Sequence, residues 1–387
     1  MLENLFSTKL NFMYPNRIHL FLKLSLLLLA ATVFVALPDS SAVGQDPLTI
    51  KKQRPRPAQT RQTPRAKTAP QRTAPGKAAN GNTASKSNGE KPEIAGPENV
   101  VLATSDGVKL TATYFKPTAP AEGEQAQAIP FILLHEWEGD RTQLLEYGAF
   151  LQSLGHAVIV PDLRGHGEST AVEGLKKPID ATKFRKNEIA SVAKDIERCK
   201  KYLVKRNNEG EVNIDMLSVV AVGQTSVLAV AWVLDDWFAF PPYNAKGIKQ
   251  GQDVKALVLV SPRKKLKGIS LAANWKNSLY TGADGNGIPL MILWGSGDEA
   301  AKDSESLFKL VEKSRPDPRK IEDAEEREKA ISLRGVPIRG NRSTGVQLMS
   351  KRRVKGLWEF TEKFVSKKLK ANADLLPWKS REKEEKK

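Results

Sequence analysis

The sequence predicts an α/β fold class, a mostly parallel twisted sheet with helices on both faces and no large cap domain. Two observations predict it. Between about residues 98 and 370, short apolar runs alternate with longer segments of helical periodicity, the pattern of strands joined by helical crossovers. The chain is also 40% apolar over 387 residues, enough to fill a real core.

Taken in order, Val100 to Thr104 and Lys109 to Phe115 flank Ser105-Asp106-Gly107, a hairpin signal because Asp-Gly favours a tight turn. A short apolar strand follows at Ile129 to Leu134, then a helix from Gln143 to Leu154 and a strand from Ala157 to Pro161. A long helix is expected over Lys186 to Lys205, with Ile189, Val192, Ile196 and Cys199 on its buried face. Strand Leu217 to Val222 leads into a helix from Ser226 to about Asp235. Strands Ala256 to Val260 and Leu290 to Trp294 come next, with too few residues between them for a helical cap. The remaining elements are a helix at Ser304 to Glu312, an apolar stretch around Ala330 to Val336 and an amphipathic helix at Val354 to Leu369. The aromatic cluster Trp232, Trp237, Phe238, Phe240 and Tyr243 reads as packing rather than a ligand platform.

What surrounds this region differs in composition. Lys9, Arg17 and Lys23 precede the apolar run Leu24 to Leu37, which ends in Ser40, Ser41 and Ala42. That order is the one found in an export signal. Residues 1–42 therefore read as a signal peptide, or as an uncleaved membrane anchor if Ile18 to Leu22 lengthens the apolar run. The expected location is the periplasm or the extracellular space. Residues 43–97 are Pro, Lys, Arg, Thr, Gln, Ala and Asn with few large apolar side chains, and such a segment cannot offset its ordering entropy. It reads as a disordered tether. The net charge of +17 is concentrated there, since from Lys51 to Lys91 every charged residue except Glu90 is basic. This basic linker is a candidate contact for an anionic polymer or a membrane surface. Specific nucleic-acid binding is not expected, because no aromatic residue is interleaved to stack on bases. Residues 371–387 read as a charged tail, of which Lys379 to Lys387, mixing Lys, Arg and Glu, reads as a solvated end. Cys199 is the single cysteine, so no intrachain disulfide forms and its expected role is packing.

Several motifs carry a family resemblance. Ser105 to Leu110, Leu133-Leu134-His135-Glu136-Trp137 and, above all, Pro161 to Ser169 with its Asp-Leu-Arg-Gly-His-Gly-Glu-Ser run resemble the opening strands of α/β-hydrolases of the esterase, lipase and serine-aminopeptidase kind. The resemblance covers roughly residues 98–369. It implies an α/β-hydrolase fold, a cleft and oxyanion loop at His135, Glu136 and Trp137, and a structural loop at Asp162, Arg164, Gly165, His166 and Gly167. It also implies a triad in the chain order serine, acid, histidine.

The triad is where the sequence departs from the family. At the expected elbow stands Gly223-Gln224-Thr225-Ser226-Val227, which seats Thr225 in the nucleophile's place. Val227 is too large for the position two beyond it, and a β-branched residue suits a left-handed backbone poorly. Ser226 is the alternative nucleophile. Asp298, in Gly295-Ser296-Gly297-Asp298, matches the acid; a loop or capping role is the competing reading. All four histidines, His19, His135, His156 and His166, precede the elbow, and Asn341 or Arg342 stands where the catalytic histidine belongs. Neither an amide nor a guanidinium takes a hydroxyl proton near neutral pH.

No His or Cys spacing suggests a metal site, no phosphate-binding loop occurs, and Gly282 to Gly287 reads as a plain turn. No cofactor is expected. Three functions remain. The first is a catalytically degenerate hydrolase that binds a small molecule, an ester or a protein partner in the old cleft near His135, Glu136, Thr225 and Asp298. The second is a weak ester or peptide hydrolase using Thr225 or Ser226 with Asp298. The third is an envelope protein led by its basic linker.

Overall fold

In the computed structural model the described residues are 95–118, 127–239, 242–245, 247–282 and 287–382. Residues 1–94, on which the expected export signal and most of the expected tether fall, Phe240, residues 283–286 of the expected Gly-rich turn and residues 383–387 lie outside them. Eight strands form one path: β1 (Glu98–Ala103), β2 (Val108–Phe115), β3 (Pro130–Leu134), β4 (Ala157–Pro161), β5 (Leu217–Val222), β6 (Val254–Val260), β7 (Leu290–Gly295) and β8 (Leu333–Ile338). Their order across the sheet is β1-β2-β4-β3-β5-β6-β7-β8, with the short pair Ala171–Val172 added to β2. β1 and β2 form the expected hairpin and β2 runs antiparallel to β4; every pairing from β4 to β8 is parallel.

The central strands are buried along their whole length, as β3, β4, β5 and β7 show. Strands covered on both faces have no polar side to present, so their sequences read as continuous apolar runs. One face is covered by α2 (Ala193–Asn208), α3 (Ser226–Trp237) and α4 (Ala301–Ser314), which contribute Ile196, Cys199, Val230 and Val311 to the core. The other is covered by α1 (Leu145–Ser153) and α5 (Leu357–Lys370), through Tyr147, Leu151, Trp358 and Val365. Each such aliphatic or aromatic burial contributes on the order of 1.5–3 kcal/mol. Cys199 is fully buried, and burial pushes its thiol pKa well up.

Three expectations need correction. The helix expected over Lys186 to Lys205 is two, Lys186–Ala190 and α2: at the junction the N–H groups of Val192, Lys194 and Asp195 donate to the carbonyls three residues back, those of Ile189, Ser191 and Val192, in place of the four-residue spacing of an α-helix. The aromatic cluster divides: Trp232 is buried, whereas Phe238 and Tyr243 are exposed. The charged tail is not a solvated end over its described part. Leu376 and Lys379 accept hydrogen bonds from Asn213 and Asn207, Trp378 donates to Asn207, and the buried Arg381 guanidinium pairs with Asp253 at 2.6 Å and Asp215 at 3.0 Å.

Between β6 and β7 lie a small hairpin (Lys265–Leu266 with Ile269–Ser270) and two one-turn helices, with no cap domain among the described residues. No helix among the described residues is long and apolar enough to cross a membrane.

Candidate functional site

Strand order reverses at β3, whose neighbours are β4 on one side and β5 on the other. In an open parallel sheet the crevice lies at the carboxyl ends of the strands at such a switch. Leu134 of β3 pairs with Ala221 of β5, so the residues two positions beyond each, Glu136 and Gly223, leave the sheet side by side. On the far side, Gly295 of β7 pairs with Ile338 of β8. This sets the Ser296-Gly297-Asp298 loop against Arg339 to Asn341.

The turn after β5 is built differently from the sequence expectation. Thr225 has φ −63° and ψ −20°, an ordinary helical conformation, and the left-handed residue is Gly223 at φ +60°. The strand-to-helix turn on which a hydrolase carries its nucleophile therefore has its tip two residues earlier than the Gly223-to-Val227 reading placed it. At that tip stands a residue with no side chain. The flanking positions two before and two after it are Ala221 and Thr225. Glycine suits this position: the positive φ disfavours any L side chain, and a Cβ would lie 2.6 Å from Glu136 Oε1, so the carboxylate would have to shift to admit one.

Glu136 is the residue that fills this space. Its backbone N–H donates to Gln143 Oε1 at 3.2 Å, and its Oε2 accepts from the Val346 N–H at 3.2 Å. A Cβ on Gly345, itself left-handed at φ +51°, would collide with the same carboxylate. Glu136 thus lies between Gly223 at the elbow and Gly345 in the loop after β8.

Thr225 and Ser226 are both fully buried. The Thr225 hydroxyl has no hydrogen-bond partner among the described residues, and the Ser226 hydroxyl donates weakly to the Ala221 carbonyl at 3.4 Å. Asp298 uses Oδ1 to accept from the Ala300 N–H at 2.7 Å, closing a loop turn ahead of α4, while its buried Oδ2 has no partner. No hydrogen bond among the described residues joins Asp298 to Thr225, Ser226 or a histidine. At the position expected for the histidine, the Asn341 side chain accepts from the Ser343 N–H and Arg342 is exposed.

The imidazoles nearest the site are fully engaged. His135 Nε2 accepts from the Leu163 N–H at 3.0 Å, so its other nitrogen is the one that donates, to the Glu136 carbonyl at 2.8 Å. Burial lowers its pKa to about 4. His166 repeats the arrangement, with Nε2 accepting from the Glu138 N–H and Nδ1 facing the Arg164 carbonyl, and burial lowers its pKa too. The Trp137 ring stacks edge-on against His166, with centroids 4.6 Å apart. Both rings are neutral supports for the loops that carry them.

The Asp-Leu-Arg-Gly-His-Gly run forms a built loop. Asp162 accepts from the backbone N–H groups of Arg141 and Glu168 and pairs with the Arg141 guanidinium. Arg164 bridges Asp106 in the first hairpin to Asp195 in α2. Gly165 and Gly167 are left-handed, and a Cβ on Gly165 would lie 2.6 Å from the Ala181 nitrogen. One set of polar contacts therefore ties together the two motifs singled out in the sequence. Sequence reasoning assigned Glu136 to the cleft but missed that Gly223 and Gly345 make room for its carboxylate. The available signal was the pair of glycines, one immediately after an apolar strand.

No family model matches the chain, and no curated protein does. Among solved structures it is similar to an esterase of Pyrococcus furiosus, at 14% identity and TM-score 0.40 over 73% of this chain and 92% of that one. It is also similar to Thermogutta terrifontis esterase 2, at 16% identity and TM-score 0.45 over 73% and 96%. A dienelactone hydrolase of Anabaena variabilis is similar at 13% identity and TM-score 0.41 over 71% and 98%. By its own strand order, crossovers and strand-to-helix turn, the chain has the α/β-hydrolase fold.

Proposed function

We propose that this chain is an exported, non-catalytic binding module on an α/β-hydrolase scaffold. One observation carries the reading: the tip of the elbow is Gly223, and the Glu136 carboxylate occupies the space that a nucleophile's side chain needs. Covalent acyl transfer requires a hydroxyl or thiol within reach of a base that has a free lone pair. The hydroxyls of Thr225 and Ser226 are sealed from solvent, and the acceptor nitrogens of His135 and His166 are each committed to a backbone N–H. Among the described residues no imidazole hydrogen-bonds to Asp298. The half-buried Glu136 carboxylate suits a small molecule or partner offering hydrogen-bond donors. The signal-like residues 1–42 and the basic linker support placing the module outside the cytoplasm, with the linker giving it reach to a surface.

The full chain incubated with a fluorophosphonate probe and with chromogenic short-chain esters is expected to show no labelling and no turnover above the blank. Thr225→Ala and Ser226→Ala should change nothing. Labelling that either substitution removes would overturn the reading in favour of a hydrolase.

A further inference from the structure

The loop after β8 does more than seat Glu136. Its first half, with the segment leading into α5, lines an open cavity of about 760 Å³ whose charged residues are Arg339, Arg342, Arg353 and Lys355. No acidic residue lines it. These four cations are exposed, and none forms an ion pair among the described residues; the one polar contact is Arg353 to the buried Ser343 hydroxyl at 3.3 Å. Some surface cations on this protein find acids, as Arg206 does with Glu209 and Lys309 with Glu305, whereas these four do not. Four that face one hollow without an acid repel one another, and an anion in the hollow relieves that repulsion.

The hollow is shaped by its backbone. Gly295 and Gly297 allow the loop to lie close: a Cβ on Gly295 would come within 2.6 Å of the Asn341 and Ser343 carbonyls, and one on Gly297 within 2.9 Å of Arg342 Cγ. The Gly297 N–H donates to the Asn341 carbonyl at 2.9 Å and the Gly340 N–H to the Ser296 hydroxyl at 2.9 Å. The Arg342 stem is thereby held against the β7 loop while its head group remains outside.

We propose that this cavity binds a small, multiply charged phosphate ester of a polyol. Guanidinium forks match phosphate oxygens two at a time, and three of the four cations are arginines. A single carboxylate would satisfy only one fork. No aromatic side chain lines the cavity, so nothing in it stacks on a base or a sugar face, and Ser343 and Gln347 supply neutral polar groups suited to hydroxyls. The site is separate from the elbow, and binding here does not depend on whether the elbow is inert.

The test titrates the full chain with inositol hexakisphosphate, with citrate as the carboxylate control and vesicles of phosphatidylglycerol in phosphatidylcholine as the lipid source of phosphate. Saturable binding to inositol hexakisphosphate, weaker binding to citrate and no cavity-dependent vesicle binding are expected. Arg342→Ala/Arg353→Ala should weaken the inositol phosphate by about tenfold or more. The independent pair Arg339→Ala/Lys355→Ala should weaken it as well, which keeps the test open if one variant folds poorly. Arg54→Ala/Arg56→Ala removes equal charge from the linker and should leave affinity within about twofold. No saturable binding, or equal losses from the linker pair and both cavity pairs, overturns the proposal. Vesicle capture that needs Arg342 and Arg353 without binding of the soluble phosphate overturns it too.

Discussion

At Gly223 a single residue type decides both the backbone and the chemistry. A serine there must adopt φ near +60°, which costs about 1–2 kcal/mol, and must place a Cβ 2.6 Å from Glu136 Oε1. Gly223→Ser is therefore expected to destabilise the chain by about 2–4 kcal/mol in urea unfolding and to remain unlabelled by a fluorophosphonate. Glu136→Ala removes the obstructing carboxylate, so in the double variant the cost of the serine should fall by about 1–2 kcal/mol. Strict additivity of the two substitutions would show that Glu136 does not occupy the elbow space. The sequence shows why this site was only half legible. Gly223-Gln224-Thr225-Ser226 offers two hydroxyls at plausible spacing, and both draw attention from the glycine. Which residue takes the left-handed turn depends on where β5 ends, and a strand boundary is set by pairing with β3 and β6, which local sequence does not record.

Elements were read well where the hydrophobic pattern alone determines them. β3, β4, β5 and β7 are apolar apart from Ser218 because helices cover both faces, and α2 and α5 each bury one stripe. The pattern was silent where charged residues make the contacts. Lys379 to Glu382 looks the same whether solvated or docked, and only Leu376 and Trp378 just before it hint at docking. The partners explain the difference: Asp253 is buried and is met from three sides by Lys200, Lys249 and Arg381. Removing one member of such a buried cluster leaves charge poorly compensated. Arg381→Ala should thus cost about 2–4 kcal/mol, far more than the ~0–1 kcal/mol typical of an exposed cation. Arg381→Lys should recover part of that loss. If urea midpoints for the alanine variant match wild type, the tail is a solvated end after all.

For the whole molecule, the neutral imidazoles make stability depend on pH in a defined window. Burial holds His135 near pKa 4 in the folded state, below the ordinary value of 6.5, and unfolding restores that ordinary value. Above about pH 6.5 both states are neutral and the residue adds no pH dependence. As pH falls from about 6.5 toward 4, the unfolded chain takes up a proton that the folded chain refuses. Stability is therefore lost across this window at up to about 1.4 kcal/mol per pH unit, and the loss levels off below it. His166, lowered in the same direction, adds to the effect. Asp195 works against it, because burial raises its pKa to about 6 and the folded state then holds the extra proton. Comparing His135→Gln with wild type removes every group common to both chains. Gln can still donate to and accept from the neighbouring backbone, but it does not titrate. The variant is expected to be less stable at neutral pH, with an acid limb between about pH 6.5 and 4 that is shallower by close to one proton in the pH dependence of the unfolding free energy. Parallel acid limbs would mean that the imidazole under the Glu136 loop is solvated and free to protonate, and the argument that it cannot serve as a base would then have to rest on its position alone.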